Sequence, residues 1–365
     1  MSAANFEHDR IHGPLPPLFP DGPITPEQWP ARRQQLLDAT VPLAFGGMPP
    51  KPDWLQVRVR FRNHYTILAG AGDKTVSFSL DLRLPQDVEK PPVLLCGDAC
   101  FHTCNDAVIQ LFLDHGFAVA LFDRTELAED NFSYARDLGV YPLFPELRFG
   151  AIAAWAWGYH RCVDALLELN LTDPDCICIA GHSRGGKATL LAGATDPRIA
   201  FTQTNESGLF GAGCFRYEQR ECAEPQIHDD HSETLANMLG IGVPWDSIGF
   251  WYGPDMVPYQ DREAELPFDL HFLKAAVAPR YLLETDSVDD TWSNPRGSYV
   301  TFRAAREAYR QLGCGDRIAA VLRQGPHAHS LEDFSTFLTF IESARAGKPF
   351  PLANADQIYG DLPSI

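Results

Sequence analysis

The residues of this 365-residue chain best suited to chemistry are Gly181-His182-Ser183-Arg184-Gly185. A serine hydroxyl attacks a carbonyl only when a sharp turn presents it and a neighbouring base takes its proton. Small residues must flank such a turn, because a Cβ there would strike nearby backbone. The backbone N–H of Arg184, at the start of the following helix, would then face the oxygen that becomes negative during attack. The base is expected from the run IAAVLRQGPHAHSLEDF, which offers His327 and His329. His327 is preferred, because the tight turn Gly325-Pro326 precedes it. His329 is expected to cap or pack against the last helix, or to stay at the surface.

The acid that would orient the imidazole has two sources. The run TDSVDDTWSNP supplies Asp286, Asp289 and Asp290, and AFTQTNESG supplies Glu206. A carboxylate from either place could accept the imidazole N–H.

These side chains need a rigid scaffold, and the hydrophobic pattern predicts one. The apolar run CICIA (176–180) precedes the pentad and the helix-prone KATLLAGA follows it, which is the strand–turn–helix context of a nucleophile elbow. Further apolar runs at 91–96, 117–122, 280–284 and 318–322 predict strands covered on both faces. Helices are predicted between them in FGAIAAWAWGYHRCVDALLEL and in GSYVTFRAAREAYRQLG, the second ending at Gly313. Earlier, QVRVRF and VSFSLDLRL alternate and predict half-buried antiparallel strands. The fold expected is therefore α/β, an α/β-hydrolase with a mostly parallel central sheet and helices on both faces. Residues 1–55, rich in proline with one helix around WPARRQQLLDA, are expected to form an arm packed on a domain spanning 56–365. The stretch 208–265 interrupts two sheet strands and is expected to form a lid or a substrate wall.

Composition narrows the partners. With 45% hydrophobic and 21% charged residues the chain can bury a substantial core. Its net charge of −18 opposes binding to nucleic acid or to an anionic membrane surface. No stretch approaches the roughly 20 apolar residues of a membrane span. The start MSAANFEHDRIHGPLPP lacks the basic-then-apolar pattern of an export signal, so a cytoplasmic location is expected. The nine cysteines read as buried free thiols, and Cys96, Cys100 and Cys104 fit no zinc spacing. No metal site and no cofactor are expected.

Several longer runs carry a resemblance. GAIAAWAWG, GHSRGGKATLLAGATDPRIA, NESG and FDLHFLKAAVAPRYLLETDSVDDTWSNPRG, with WPARRQQLL and GGMPP near the start, resemble carbohydrate esterase family 15, the glucuronoyl esterases. The resemblance implies Ser183 as nucleophile, His327 as base, Arg184 as an oxyanion-side donor, and an acid at Glu206 or Asp290. It also implies sugar contacts from Lys187, Trp292 and Glu233. Lys187 lies one turn beyond Ser183, so its ammonium is expected to point into the pocket, the alternative being a stem along the helix with its head in water. Two departures bear on the substrate. The positions of the fungal disulfide pair hold His182 and Ala328, and CGDACFHTCND differs from the family's usual oxyanion wall.

The activity expected is hydrolysis of a uronic acid ester of the 4-O-methyl-glucuronoyl type, in a small molecule or an oligosaccharide, through an acyl-enzyme. The alternatives are an acetyl-sugar or other carboxylic esterase on the same scaffold, and a catalytically silent ligand-binding homologue.

Overall fold

A computed structural model describes residues 6, 8–130, 136–220, 232–240 and 249–365. The chain begins with β1 (Arg10–Ile11), α1 (Trp29–Phe45), β2 (Trp54–Phe61), β3 (His64–Ala71) and β4 (Lys74–Arg83). Next come β5 (Val93–Cys96), α2 (Asp106–Asp114), β6 (Ala118–Leu121), α3 (Ala151–Leu169), β7 (Ile177–His182), α4 (Arg184–Thr195) and β8 (Phe201–Asn205). After β9 (Tyr217–Glu218), α5 (Leu235–Met238) and α6 (His271–Val277), it closes through β10 (Tyr281–Ser287), α7 (Pro295–Gln311), β11 (Ile318–Arg323), α8 (Leu331–Arg345) and α9 (Ala355–Tyr359).

Nine strands form one sheet in the order β11-β10-β8-β7-β5-β6-β4-β3-β2. Pairing is parallel from β11 to β6 and antiparallel from β6 through β4 and β3 to β2. Each predicted apolar run is a strand of the parallel part, and the reason lies in where its residues go. Leu95, Ile177, Ile179 and Leu282 enter the core shared with α1, α3, α4, α6 and α7. Their neighbours Leu94, Cys178 and Leu283 enter a second core with Val108 and Phe112 of α2 and Phe334, Phe337 and Ile341 of α8. A strand buried on both sides has no polar face to show, so its sequence is continuously apolar.

The reading of QVRVRF needs correction. β2 is the outermost strand, and Val59 and Phe61 are 67% and 63% exposed, whereas Leu55 and Val57 pack against the core. Alternation identified the strand, but sheet order decides whether its apolar side is covered.

The helix expected in the N-terminal arm is α1, whose Trp29, Leu36 and Phe45 join the main core. Its Trp29 indole N–H donates to the Ala278 carbonyl at 3.0 Å. In the described parts of 208–265, Phe210, Phe215, Leu235, Trp251 and Met256 are buried in the main core. Residues 221–231 and 241–248 of that stretch lie outside the described residues, as do 1–5 and 7 of the arm. Among the described residues no helix is long and apolar enough to cross a membrane, and the cysteines are free thiols, all buried except the half-buried Cys100.

Candidate active site

β7 ends at His182 and α4 begins at Arg184, so one residue makes the turn. That residue, Ser183, has φ 53° and ψ −122°, a conformation that costs a non-glycine residue of order 1–3 kcal/mol. The flanking glycines are required sterically. A Cβ on Gly181 would lie 2.6 Å from the Gly185 carbonyl oxygen, and one on Gly185 would lie 2.2 Å from Asp98 Oδ1. The turn is held by the Ser183 N–H donating to the Asn205 carbonyl at 2.9 Å.

Asp98, in the loop after β5, is a functional neighbour that spacing in the sequence does not reveal. It is buried, accepts the His182 N–H at 2.9 Å and accepts Arg124 Nε at 2.9 Å. Arg184 stands at the helix start, with its guanidinium 3.2 Å from both oxygens of Asp130 and stacked 4.6 Å over the Trp251 ring. Asp130 also accepts from Arg124 at 3.1 Å and from the Trp251 indole at 3.2 Å. The loop after β5, the segment after β6 and the insertion are thereby tied together around the elbow.

His327 follows β11, and its Nδ1 meets both candidate acids. Asp290 Oδ2 lies at 2.6 Å and Glu206 Oε2 at 3.2 Å. Glu206 has two further tasks. Its Oε1 accepts Arg323 at 2.7 Å, and its Oε2 accepts the Ala328 N–H at 2.6 Å. The other two acids do not reach the imidazole. Asp289 accepts the Gly325 N–H at 2.8 Å and so holds the turn before His327. Asp286 is buried on β10, where burial and then Glu284 push its carboxyl far above the usual range.

The electrostatics separate the roles. Burial works to lower His327, but its hydrogen bond to Asp290, then that to Glu206, outweighs it and holds the imidazole well above its ordinary range. Burial works to raise Asp290, yet the bond from His327 leaves it below the usual carboxylate range. Glu206 is raised, with burial the leading cause. Asp290 is thus the carboxylate best matched to a cationic imidazole.

Two other histidines lie alongside. The His182 ring is centred 4.4 Å from that of His327, and its Nδ1–H donates to Asn205 Oδ1 at 2.6 Å. Burial, and then the nearby His327, lower His182 to about 4, so it is neutral. His329 is not at the surface, as one expectation had it. It is buried, stacked 3.8 Å from the Phe334 ring of α8 and 3.3 Å from Gln203 Oε1. It packs against the helix that follows it, α8 rather than the last helix α9, and the cap of α8 is supplied by Ser330, whose Oγ accepts the Asp333 N–H.

Lys187 departs from both expectations for it. It is 2% exposed, and its ammonium donates to the carbonyls of Ser207 at 2.7 Å and Leu209 at 2.6 Å and to Glu233 at 3.1 Å. An ammonium has three protons, and all three are used inside the protein. The cause is the turn after β8, where Glu206 and Gly208 take positive φ and bring the two carbonyls over α4. Glu233, 8% exposed, also accepts the Leu209 N–H, and its own N–H donates to the Trp292 carbonyl at 2.9 Å. Trp292 is half-buried against the main core. The three residues expected at the sugar are thus gathered on one side of the elbow.

A sequence profile described as "Glucuronyl esterase, fungi" matches residues 67–313. The chain belongs to the glucuronyl esterase family. Among solved structures, a carbohydrate esterase family 15 glucuronoyl esterase from Caldicellulosiruptor kristjansonii is 30% identical, with 96% of this chain and 94% of that one covered and a TM-score of 0.81. The glucuronoyl esterase catalytic domain of Hypocrea jecorina is 24% identical over 98% of this chain and 97% of its own, with a TM-score of 0.77, a likeness of fold. Among sequence relatives, the 4-O-methyl-glucuronoyl methylesterase 1 of Wolfiporia cocos (strain MD-104) is 28% identical over 337 residues, covering 89% of this chain and 77% of the relative. As a glucuronyl esterase the chain is a carboxylic ester hydrolase. The α/β-hydrolase fold expected from the strand–elbow–helix pattern is the fold of the family.

Proposed function

We propose that this glucuronyl esterase cleaves a uronic acid ester of the 4-O-methyl-glucuronoyl type through an acyl-enzyme on Ser183. The observation that carries the mechanism is His327 Nδ1 held 2.6 Å from Asp290, with the His327 ring against that of His182, the residue joined to the strained Ser183. Ser183 Oγ attacks the ester carbonyl while His327 Nε2 takes its proton. Asp290 stabilises the imidazolium that forms. The Arg184 N–H and the α4 N-terminus face the oxyanion, where preorganised donors contribute most. His327 then gives its proton to the departing alcohol, and water repeats the sequence on the acyl-enzyme.

Two lines support the uronate. The relative from Wolfiporia cocos is named for that ester, and Lys187, Glu233 and Trp292 stand together beside the elbow. Glu233 and Trp292 offer a carboxylate and an indole to sugar hydroxyls. Lys187 reaches a hydroxyl only by exchanging one of its internal bonds. The Arg184 guanidinium, paired to Asp130, lessens the repulsion between a uronate product and a chain of net charge −18.

The test is a side-by-side assay of methyl glucuronate and an acetylated sugar, each with the native chain and with Ser183→Ala. Preferential cleavage of the uronate ester, abolished in the variant, is expected. Faster release of acetate would overturn the substrate, and activity surviving the substitution would overturn the nucleophile.

A further inference from the structure

We propose that His182, Glu206 and His327 form a binding site for a divalent transition-metal ion of the zinc class, and that filling it stops the esterase. One donor atom from each of the three lies within 4.8 Å of the others. They come from three different strand ends, His182 closing β7 and Glu206 and His327 following β8 and β11, so no spacing in the sequence announces them.

The geometry is close to a coordination sphere. Ligand atoms about 2.0–2.2 Å from a tetrahedral zinc lie about 3.3 Å apart. Glu206 Oε2 and His327 Nδ1 are already 3.2 Å apart, and Asp290 Oδ2, 2.6 Å from the same Nδ1, must swing aside to admit the ion. The ligand atom of the half-buried His182 lies within 4.8 Å of both, so a shift of at most roughly 1.5 Å brings it to the same separation. The supporting hydrogen bonds are also of the kind that orient metal ligands. His182 donates its Nδ1–H to Asn205 Oδ1 at 2.6 Å, which leaves the lone pair on Nε2. Glu206 is fixed by Arg323 through its other oxygen at 2.7 Å. Two imidazoles and one carboxylate favour zinc, copper or nickel over magnesium or calcium, which prefer sites made of oxygens alone.

Occupation has a chemical consequence. The Nδ1 lone pair of His327 goes to the metal; the proton that Nδ1 carried moves to Nε2, or leaves to solvent where the ring already carries a second proton there. The metal-bound ring then keeps its proton on Nε2, which has no lone pair left to take the proton of Ser183, and Glu206 is drawn from its place. Inhibition therefore rests on the esterase reading above, whereas binding does not.

The experiment separates the two. Zinc chloride is titrated calorimetrically into the full chain and into Ser183→Ala, with magnesium and calcium chloride as controls, and ester hydrolysis is followed with zinc before and after a chelator. Two variants, His182→Gln and His182→Phe, remove the ligand while keeping side-chain bulk, so that misfolding of one leaves the other informative. Saturable zinc binding by both chains is expected, weakened at least about tenfold in the His182 variants, with the inhibitory zinc concentration rising by the same factor. Inhibition should reverse with the chelator. Absence of saturable binding, equal binding of magnesium, or zinc affinity unchanged in both variants would overturn the site. Zinc binding by a native chain that cleaves no ester would support the site and overturn the esterase reading.

Discussion

Asp290→Asn removes the nearer of the two carboxylates on His327, the one at 2.6 Å rather than 3.2 Å. Hydrogen bonds to a charged partner contribute roughly 1.5–3 kcal/mol, and this one matters most when the imidazole becomes imidazolium in the transition state. Its loss is expected to lower kcat/KM about ten- to a hundredfold. Glu206→Gln should cost less in this respect, because Glu206 also serves Arg323 and the Ala328 N–H and a glutamine keeps one acceptor for them. Each single variant retains one acid at Nδ1, so the double variant should lose more than the product of the two, with a coupling of about 0.5–3 kcal/mol.

The pH profile gives a second reading of the same pair. A base works only when neutral, and both carboxylates hold His327 above its ordinary value. The rise of kcat/KM with pH should therefore be centred above the ordinary imidazole value of about 6.5. Removing either carboxylate lowers the His327 pKa, so the limb should move to lower pH in each variant, by more in Asp290→Asn. Hydrolysis of a uronate ester across the neutral and alkaline range measures both effects. A silent Asp290→Asn beside a Glu206→Gln as inactive as Ser183→Ala would refute the unequal sharing. A limb that moved upward would refute the electrostatic argument.

Ser183→Ala should leave the melting temperature close to or above that of the native chain while lowering kcat by about 10⁶-fold, measured as single-turnover product. His327→Ala should match it. His329→Ala should instead lower thermal stability, because it empties a buried place against Phe334, and it should leave kcat within about tenfold; the reverse ranking of the two histidines would displace His327 as the base. Lys187→Met strands Glu233 without its cation and should cost about 3–5 kcal/mol in denaturant unfolding, against no change if the ammonium were solvated. Trp292→Ala should lower kcat/KM roughly ten- to a hundredfold on a uronate ester and leave a small acetate ester nearly untouched; equal losses on both would make it a support for the elbow.

How much of this was legible in the sequence depends on how local each feature is. The elbow was readable because strand, turn and helix are contiguous and Gly181 and Gly185 are demanded by contacts within a few residues and with Asp98. The parallel strands were readable because burial on both faces leaves a continuous apolar run. Val59 and Phe61 misled because exposure of an edge strand follows from sheet order, which no stretch of sequence states. His329 and Lys187 were misplaced for the same kind of reason. What buries the first is Phe334 of the next helix and Gln203 of β8, and what saturates the second is the carbonyl pair of Ser207 and Leu209 in the turn after β8, contacts that sheet packing rather than local sequence decides.

The choice between the two acids was beyond the sequence for a reason that the sheet makes plain. β8, β10 and β11 are consecutive neighbours, with β10 in the middle, and Glu206, Asp290 and His327 follow their C-terminal ends. An acid after β10 stands next to the loop after β11, whereas an acid after β8 must reach past β10 to arrive there. Glu206 bridges that extra distance by way of Arg323, the last residue of β11, and of the Ala328 N–H just past the imidazole. Those bonds fix the histidine loop whether or not Glu206 touches Nδ1. Position in the sheet therefore favours Asp290 as the acceptor of the imidazole N–H and Glu206 as the tie on the loop, and the remaining 3.2 Å contact from Glu206 is why each is expected to cover partly for the other.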